Sequence, residues 1–292
     1  MLSPRPDSSI GQHHPANRKV FTRLFLFFSV FLFAVLVANK PQPASATTAI
    51  LGVNILGVDS CAAPTVPQMQ AFWTNTPYYF WGVYIGGDER TCSQPNLTSS
   101  WVSSVTNGPN QHWELSPWWV GPQAPCNSGS FTYVFSYNTS TAYSQGENEA
   151  ISAYDAVVLL GMGSDTPVAY DLEAFDTSNS SCVAAAQAFI NGWTHQLSVA
   201  PPQTSGVYGS TCASDLTAYA SISLPPEYIF GANYDGNSDT SVMACVPSGY
   251  WGNSQRLKQY ENTHSETWNN QSLNVDSDSS NGPVYSYPPS SS

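Results

Sequence analysis

Between Ala49 and Asp276 the sequence passes eight times through a short apolar run rich in β-branched and aromatic residues. Most neighbouring runs are separated by a stretch long enough for a helix. The runs are Ala49 to Asp59, Tyr79 to Gly87, His112 to Gly121, Thr166 to Phe175, Thr204 to Ser210, Tyr228 to Tyr234, Arg256 to Glu261 and Ser272 to Asp276. Between them, Pro64 to Trp73, Leu97 to Val105, Gly146 to Gly163, Cys182 to Val199 and Ser214 to Ser221 read as helices. Val183, Ala186, Phe189, Ile190, Trp193 and Leu197 recur at helical spacing and mark a packed face. Strands alternating with helices over this length predict an α/β fold, a single-domain (β/α)8 TIM-like barrel. The connections after the sixth and seventh strands carry no convincing helix, so those helices are expected to be short or missing.

The expected domain spans residues 47–282. Ahead of it, Phe21 to Ala38 is an apolar run with Arg18, Lys19 and Arg23 at its head and Ala44-Ser45-Ala46 behind it. This is the pattern of a secretory signal peptide over residues 1–46, and the protein is expected to be exported. The alternative is an uncleaved membrane anchor, since the run is near the length of a span. Pro283 to Ser292, rich in Pro and Ser, reads as a disordered tail.

Five of the eight Lys and Arg lie before Thr47; beyond Ala46 only Arg90, Arg256 and Lys258 face nineteen acids, a net charge of −16. With no basic footprint, nucleic acid is excluded as a partner. An anionic polymer is repelled, which favours a neutral one. An acidic extracellular medium fits such a surface. All six cysteines lie in the exported part, an even count that implies up to three disulfides. Cys92 with Cys126, Cys212 with Cys245, and Cys61 with Cys182 are the expected pairs, the first two from neighbouring loops above adjacent strands and the last across the mouth. No motif calls for a cofactor or a metal. Asp235-x-Asn237-x-Asp239 has the first ligand positions of a calcium loop but Thr240 and Val246 where that loop needs Gly and Glu.

The chemistry-bearing motif is TPVAYDLEAF. Asp171 and Glu173 are two apart, so on a strand they share a face. Two acids on one face of an apolar strand are costly to bury and repel each other. A frayed, solvated strand end explains them blandly. A carboxylate pair at a barrel mouth, one protonated and one not, explains them as chemistry. In a (β/α)8 barrel the strand C-termini carry the site. Asp59, Asp171, Glu173 and Asp276 all fall at strand ends, and Tyr84, Trp118, Trp119, Tyr208, Asn233, Tyr234, Gln259 and Tyr260 accompany them. Trp118 and Trp119 cannot both point inward on one strand. Four acids converging on one mouth favour the functional reading.

The motifs GVDSCAAPTVPQM, GVYIGG, QPNLTSSWV, YDLEAF, SGVYGS, LKQYENTHSETW and LNVDSD occur in this order. Together, over about Gly52 to Gly282, they resemble the secreted bacterial glycoside-hydrolase-like domain catalogued as domain of unknown function 1906. That domain is related to the family 25 glycoside hydrolases, lysozyme-type muramidases with a TIM-like barrel. The resemblance implies Asp59, Asp171, Glu173 and Asp276 as the catalytic carboxylates. His264, Glu266 and Asp278 match the narrower family's pattern. The implied function is cleavage or binding of a polysaccharide or cell-wall glycan, by a possible glycoside hydrolase. A non-catalytic glycan- or wall-associated module on the same barrel is the alternative. In glycoside cleavage one carboxyl gives its proton to the leaving oxygen while an ionised carboxylate supports the oxocarbenium-like centre. Glu173 is the expected acid, and Asp171 or Asp276 the ionised partner. Tyr84, Trp118, Tyr208, Asn233, Gln259, His264 and Asp278 are the expected substrate-binding set. Same-face neighbours on a strand lie about 7 Å apart at Cα, so side-chain placement sets the stereochemistry.

Overall fold

In the computed structural model, residues 47–50, 52–199, 201–214 and 216–287 are described. The expected signal peptide or anchor, and the tail beyond residue 287, lie outside the described residues.

Eight strands close into a barrel. β2 (Ile55–Asp59), β3 (Phe80–Gly86), β4 (Glu114–Trp119), β5 (Pro167–Asp171), β6 (Thr204–Ser210), β7 (Tyr228–Ala232) and β8 (Arg256–Trp268) run parallel, each hydrogen-bonded to the next. β9 (Gln271–Asn281) pairs antiparallel with both β8 and β2 and completes the ring. The outer layer holds α1 (Val66–Asn75), α2 (Ser99–Thr106), α3 (Thr139–Leu159), α4 (Ser180–Ser198) and a 3-10 turn over Leu216–Ser221.

Period-2 alternation decides what fills the barrel and what faces the helices. Phe80, Trp118, Ala169, Tyr208, Tyr228, Phe230 and Leu257 pack inside. Val58, Trp81, Leu115, Trp119, Tyr170, Val207 and Ile229 point outward under the helices. Trp118 and Trp119 divide as the alternation requires. Trp118 packs inside against Tyr84, Tyr208 and Phe230, edge-to-face on Tyr84 and Phe230 and tilted on Tyr208. Trp119 reaches outward, where its indole N–H donates to Glu149 at 2.6 Å.

Four differences from the sequence reading have physical causes. The run from Ala49 to Asp59 is two strands: β1 (Thr47–Ile50) and β2, broken by a turn at Val53–Asn54, with Asn54 at φ 57°. The expected disordered tail begins instead with β10 (Pro283–Ser286). It pairs antiparallel with β1 and bridges to β4 at Tyr285 and Leu115. Val284 of β10 is fully buried with Phe80 and Leu257, so this ribbon plugs the barrel floor. α3 begins seven residues before the expected Gly146. Gly146 is internal because a Cβ there would lie 2.1 Å from the Phe189 carbonyl oxygen of α4. Gly192 faces α3 in the same way, so the two longest helices meet through glycine. The last strand runs antiparallel because it needs no crossover: a two-residue turn at Asn269 and Asn270, both at positive φ, joins β8 to β9 as a hairpin. Register shifts between Gln259 and His264 bend this hairpin. Its outer half folds back beside α1, anchored by Glu266 accepting from Tyr78 at 2.5 Å and Trp268 at 2.6 Å.

Helix starts are fixed by side chains. Thr65 and Gln68 form a reciprocal capping box on α1. Asn138 Oδ1 accepts from the Thr141 N–H at 3.0 Å to start α3, and Asn179 does the same for α4. Asn138→Ala removes a cap and should lower stability by about 1 kcal/mol, roughly 2–4 °C in Tm by calorimetry.

The irregular connection between β7 and β8 replaces a helix with buried cations. Arg256, 3% exposed, donates to the carbonyls of Pro247 and Tyr250. Lys258 is fully buried and pairs with Asp235 at 2.9 Å while donating to the Val242 carbonyl. The Asp235-x-Asn237-x-Asp239 motif is a run of Asx turns. Each side-chain oxygen accepts the backbone N–H two residues on, at 2.9–3.0 Å.

The disulfides join Cys61 to Cys92, Cys126 to Cys182 and Cys212 to Cys245, with Cα separations of 5.7, 6.1 and 5.1 Å. The third is the expected pair. The Cys92–Cys126 and Cys61–Cys182 expectations are corrected. All three bonds link loops above adjacent strands, β2 with β3, β4 with β5, and β6 with β7. The neighbour rule holds, but the pairing begins at the first barrel strand instead of the second.

Candidate functional site

The C-terminal ends of the parallel strands form an open mouth, and β9 delivers its acids into it from the opposite direction. Asp59 on β2 stands directly across from Asp276 on β9, and Asp278 lies two residues deeper, across from Gly57. Asp59 is buried at 1% exposure and has room because its other neighbour is Gly82. A Cβ at Gly82 would lie 2.5 Å from that of Asp59.

Gln259 organises these acids. Its amide nitrogen donates to Asp59 at 2.7 Å and Asp276 at 3.2 Å, while its oxygen accepts from Tyr208 at 2.8 Å and Tyr234 at 2.9 Å. Both ends of the amide are therefore committed and its orientation is fixed. Tyr84 adds a second donor to Asp59 at 3.2 Å, and Thr263 donates to Asp276 at 2.7 Å.

On the far side of Trp118, β5 supplies Asp171 at its last residue and Glu173 two residues on. Both interact electrostatically, as expected for side chains on one face. Gln123, fully buried in the loop after β4, pins this corner. It donates to the Asp171 carbonyl at 2.8 Å and accepts from the Glu173 N–H at 2.8 Å. Glu173 is half-buried and lines a cavity of about 180 Å³ with Asp171, Tyr84, Arg90, Val120 and Phe131. A larger cavity of about 290 Å³ lies between α3 and α4 and contains none of these groups.

The acids are held toward their neutral forms. Burial, then the charge of Asp276, raises Asp59 to about 8 despite donors from Gln259, Tyr84 and Asp278. Burial and the nearby Asp59 push Asp278 well above the carboxylate range. No protein N–H among the described residues reaches its oxygens, so nothing there favours its charged form. Asp171 is raised strongly by burial and then by Glu173, and its Oδ1 has no partner among the described residues. Burial raises Glu173, offset in part by the Ala174 N–H. Asp276 is raised least securely: it is half exposed, and Thr263 and His264 favour its charged form.

The structure therefore brings together Asp59, Asp171, Glu173, Asp276, Asp278, Tyr84, Tyr208 and Gln259. Three expected binding residues lie otherwise. Trp118 is fully buried beneath the acids and offers no face to a sugar. Asn233 Oδ1 is used to hold its own loop, accepting from Ala244 N at 2.6 Å and Thr211 at 3.4 Å. His264 bonds Glu266 at 3.1 Å and the Asn262 carbonyl at 3.2 Å, on the outer hairpin. Sequence reasoning missed Arg90, Gln123, Phe131 and Thr263, which sit in loops or beyond the expected strand end. Among the described residues no group of acids, His and Cys has the arrangement of a metal site, and no helix is long and apolar enough to cross a membrane.

Residues 70–280 match the model of the Rv2525c-like, glycoside hydrolase-like domain. The chain belongs to that family. An uncharacterized B. stearothermophilus protein of known structure has the same fold, at 18% identity over 77% of this chain and 95% of that one, with a TM-score of 0.52. The Mycobacterium tuberculosis Tat-secreted protein Rv2525c also matches (11% identity, 76% of this chain, 93% of that one, TM-score 0.45). So does a family 25 glycosyl hydrolase from Bacillus anthracis (13%, 79%, 90%, 0.47). No curated protein matches the chain. The family assignment agrees with the closed eight-stranded barrel, and three disulfides fit an oxidising, extracellular compartment.

Proposed function

We propose that the mouth binds a cell-wall or related polysaccharide and hydrolyses a glycosidic bond in it. The observation that carries this reading is the contrast between Glu173 and the acids around it. Asp59 is held by donors from Gln259 and Tyr84 and Asp278 is fully buried, whereas Glu173 faces a cavity with a burial-raised pKa and, among the described residues, no hydrogen bond to another side chain. Such a carboxyl keeps its proton at mildly acidic pH and can pass it to a leaving oxygen. Asp276 is the acid best suited to stay ionised, since Gln259 and Thr263 donate to it and water reaches it. Of the two expected ionised partners it is preferred to Asp171, which is buried beside Glu173 and lacks a donor at Oδ1 among the described residues. Tyr84 and Phe131 give the cavity aromatic walls on which a sugar ring can pack.

The test is a screen for reducing-end release from peptidoglycan, chitin, β-glucans and α-glucans between pH 4 and 8, with binding measured in parallel. Turnover on one of them, falling as pH rises and Glu173 loses its proton, supports the proposal. Binding across the screen with no turnover would establish the non-catalytic module instead.

A further inference from the structure

The region 47–287 contains three cations, and two are consumed by architecture. Arg256 and Lys258 are buried and bonded to carbonyls and Asp235 of the loop between β7 and β8. The third, Arg90, stands at the mouth and lines the same cavity as Glu173 and Asp171. It sits on the loop after β3, two residues before Cys92, whose bond to Cys61 ties that loop to the end of β2. Five carboxylates crowd this mouth, and Glu89 is its chain neighbour. Nevertheless, among the described residues no carboxylate oxygen comes within 4.0 Å of Arg90. Glu89 turns away to accept the Tyr133 N–H. Among the described residues the guanidinium makes one hydrogen bond, from Nη1 to the Tyr84 carbonyl at 3.3 Å, which leaves most of its five donors uncommitted beside the cavity that Arg90 lines.

An arginine that pairs with no neighbouring acid, held by a stapled loop over the proton-donating group, is arranged to receive an anion from outside. We propose that Arg90 binds a carboxylate carried by the sugar beside the scissile bond, so that the substrate is an acidic glycan. This rests on the glycan reading above and specifies its substrate class. It departs from the expectation of a neutral glycan, which followed from the net charge of −16. That charge is an average over the surface, whereas recognition is decided in the cavity. A planar carboxylate meets the fork through two parallel N–H bonds, which a hydroxyl cannot reproduce.

Two kinds of sugar carry such a carboxylate, uronic acids and amino sugars with a lactyl ether. The experiment therefore uses two probe pairs: uronate-containing oligosaccharides, and wall glycan strands stripped of peptide. Each is compared with its carboxyl-reduced neutral counterpart. Affinities are measured by titration calorimetry at pH 6 for wild type, Arg90→Ala and Arg90→Lys. In at least one pair the wild type should bind the carboxylated member about 10–100-fold more tightly, as expected for a bidentate charged contact. Arg90→Ala should lose that preference, the two members of the pair then binding alike, and Arg90→Lys should keep only part of it. Equal binding of both members in both pairs by the wild type overturns the inference and leaves glycan binding standing. A preference retained in Arg90→Ala also overturns it. A preference abolished in Arg90→Ala without any turnover upholds Arg90 and overturns the hydrolase reading.

Discussion

Glu173→Gln is expected to lower turnover on the hydrolysed glycan by about 10²–10⁴-fold, the usual loss on removing a general acid. Binding should change little, because Gln keeps the size and cavity contacts of Glu and lacks only the transferable proton. The loss should therefore appear in kcat and not in KM. Its backbone anchor is independent of the side chain, since Gln123 accepts from the Glu173 N–H. The variant should thus fold like the wild type, which a matching Tm would verify. Asp276→Asn should also cost rate, through lost electrostatic support. Unchanged turnover in Glu173→Gln would remove this residue from the mechanism.

The second large effect is on stability. Burial raises Asp59 to about 8 and Glu114, beside the β10 plug, to about 7, and lifts Asp171 and Asp278 as well. Each group prefers its neutral form in the folded state. Its contribution is complete below the unfolded value near 4 and is lost as pH rises through the folded one. His264 acts in the same direction. Burial alone would lower it, but bonds to Asn262 and Glu266 hold it above its ordinary value. Glu266 and Asp235 act oppositely, since their pKa values are lowered and their ion pairs weaken in acid. Stability should therefore peak near pH 4 and fall by about 3 kcal/mol or more toward pH 8.5, roughly 6–12 °C in Tm. Asp278→Asn should flatten this curve, because its amide can donate to Asp59 without titrating. A Tm that rises steadily from pH 5 to 8.5 would refute the account.

The barrel was legible because most strands carry unbroken apolar runs and α4 an unmistakable apolar face. The carboxylates were legible because strand ends and period-2 alternation place Asp59, Asp171 and Glu173 without further information. The antiparallel closure was not. Residues 261–271 are almost wholly polar, and bulges erase their alternation, so nothing local marks a long strand. Glu266, which holds Trp268 and His264 on its own strand, finds its distant partner at Tyr78, far away in the chain. Trp118 was misread for a related reason. Its position at a strand end suggested exposure, but small neighbours such as Ala169 let its ring fill the barrel beneath the acids. Arg90 and Gln123 lie in loops whose course depends on Cys61–Cys92 and Cys126–Cys182, the two bonds that sequence reasoning paired differently.

Those bonds also set the mechanical character of the rim. Each disulfide locks the loops of one strand pair and none connects one pair to the next, while β8 and β9 are joined by their own hairpin. The rim is thus four stiff sectors separated by seams that only noncovalent contacts hold. Asp59 and Arg90 ride on one sector, Asp171 and Glu173 on the next, and Asp276 on the hairpin sector. Each disulfide closes its own ring of chain, 31, 56 and 33 residues apart in sequence, and none of the three rings overlaps another, so one bond can form without trapping the next.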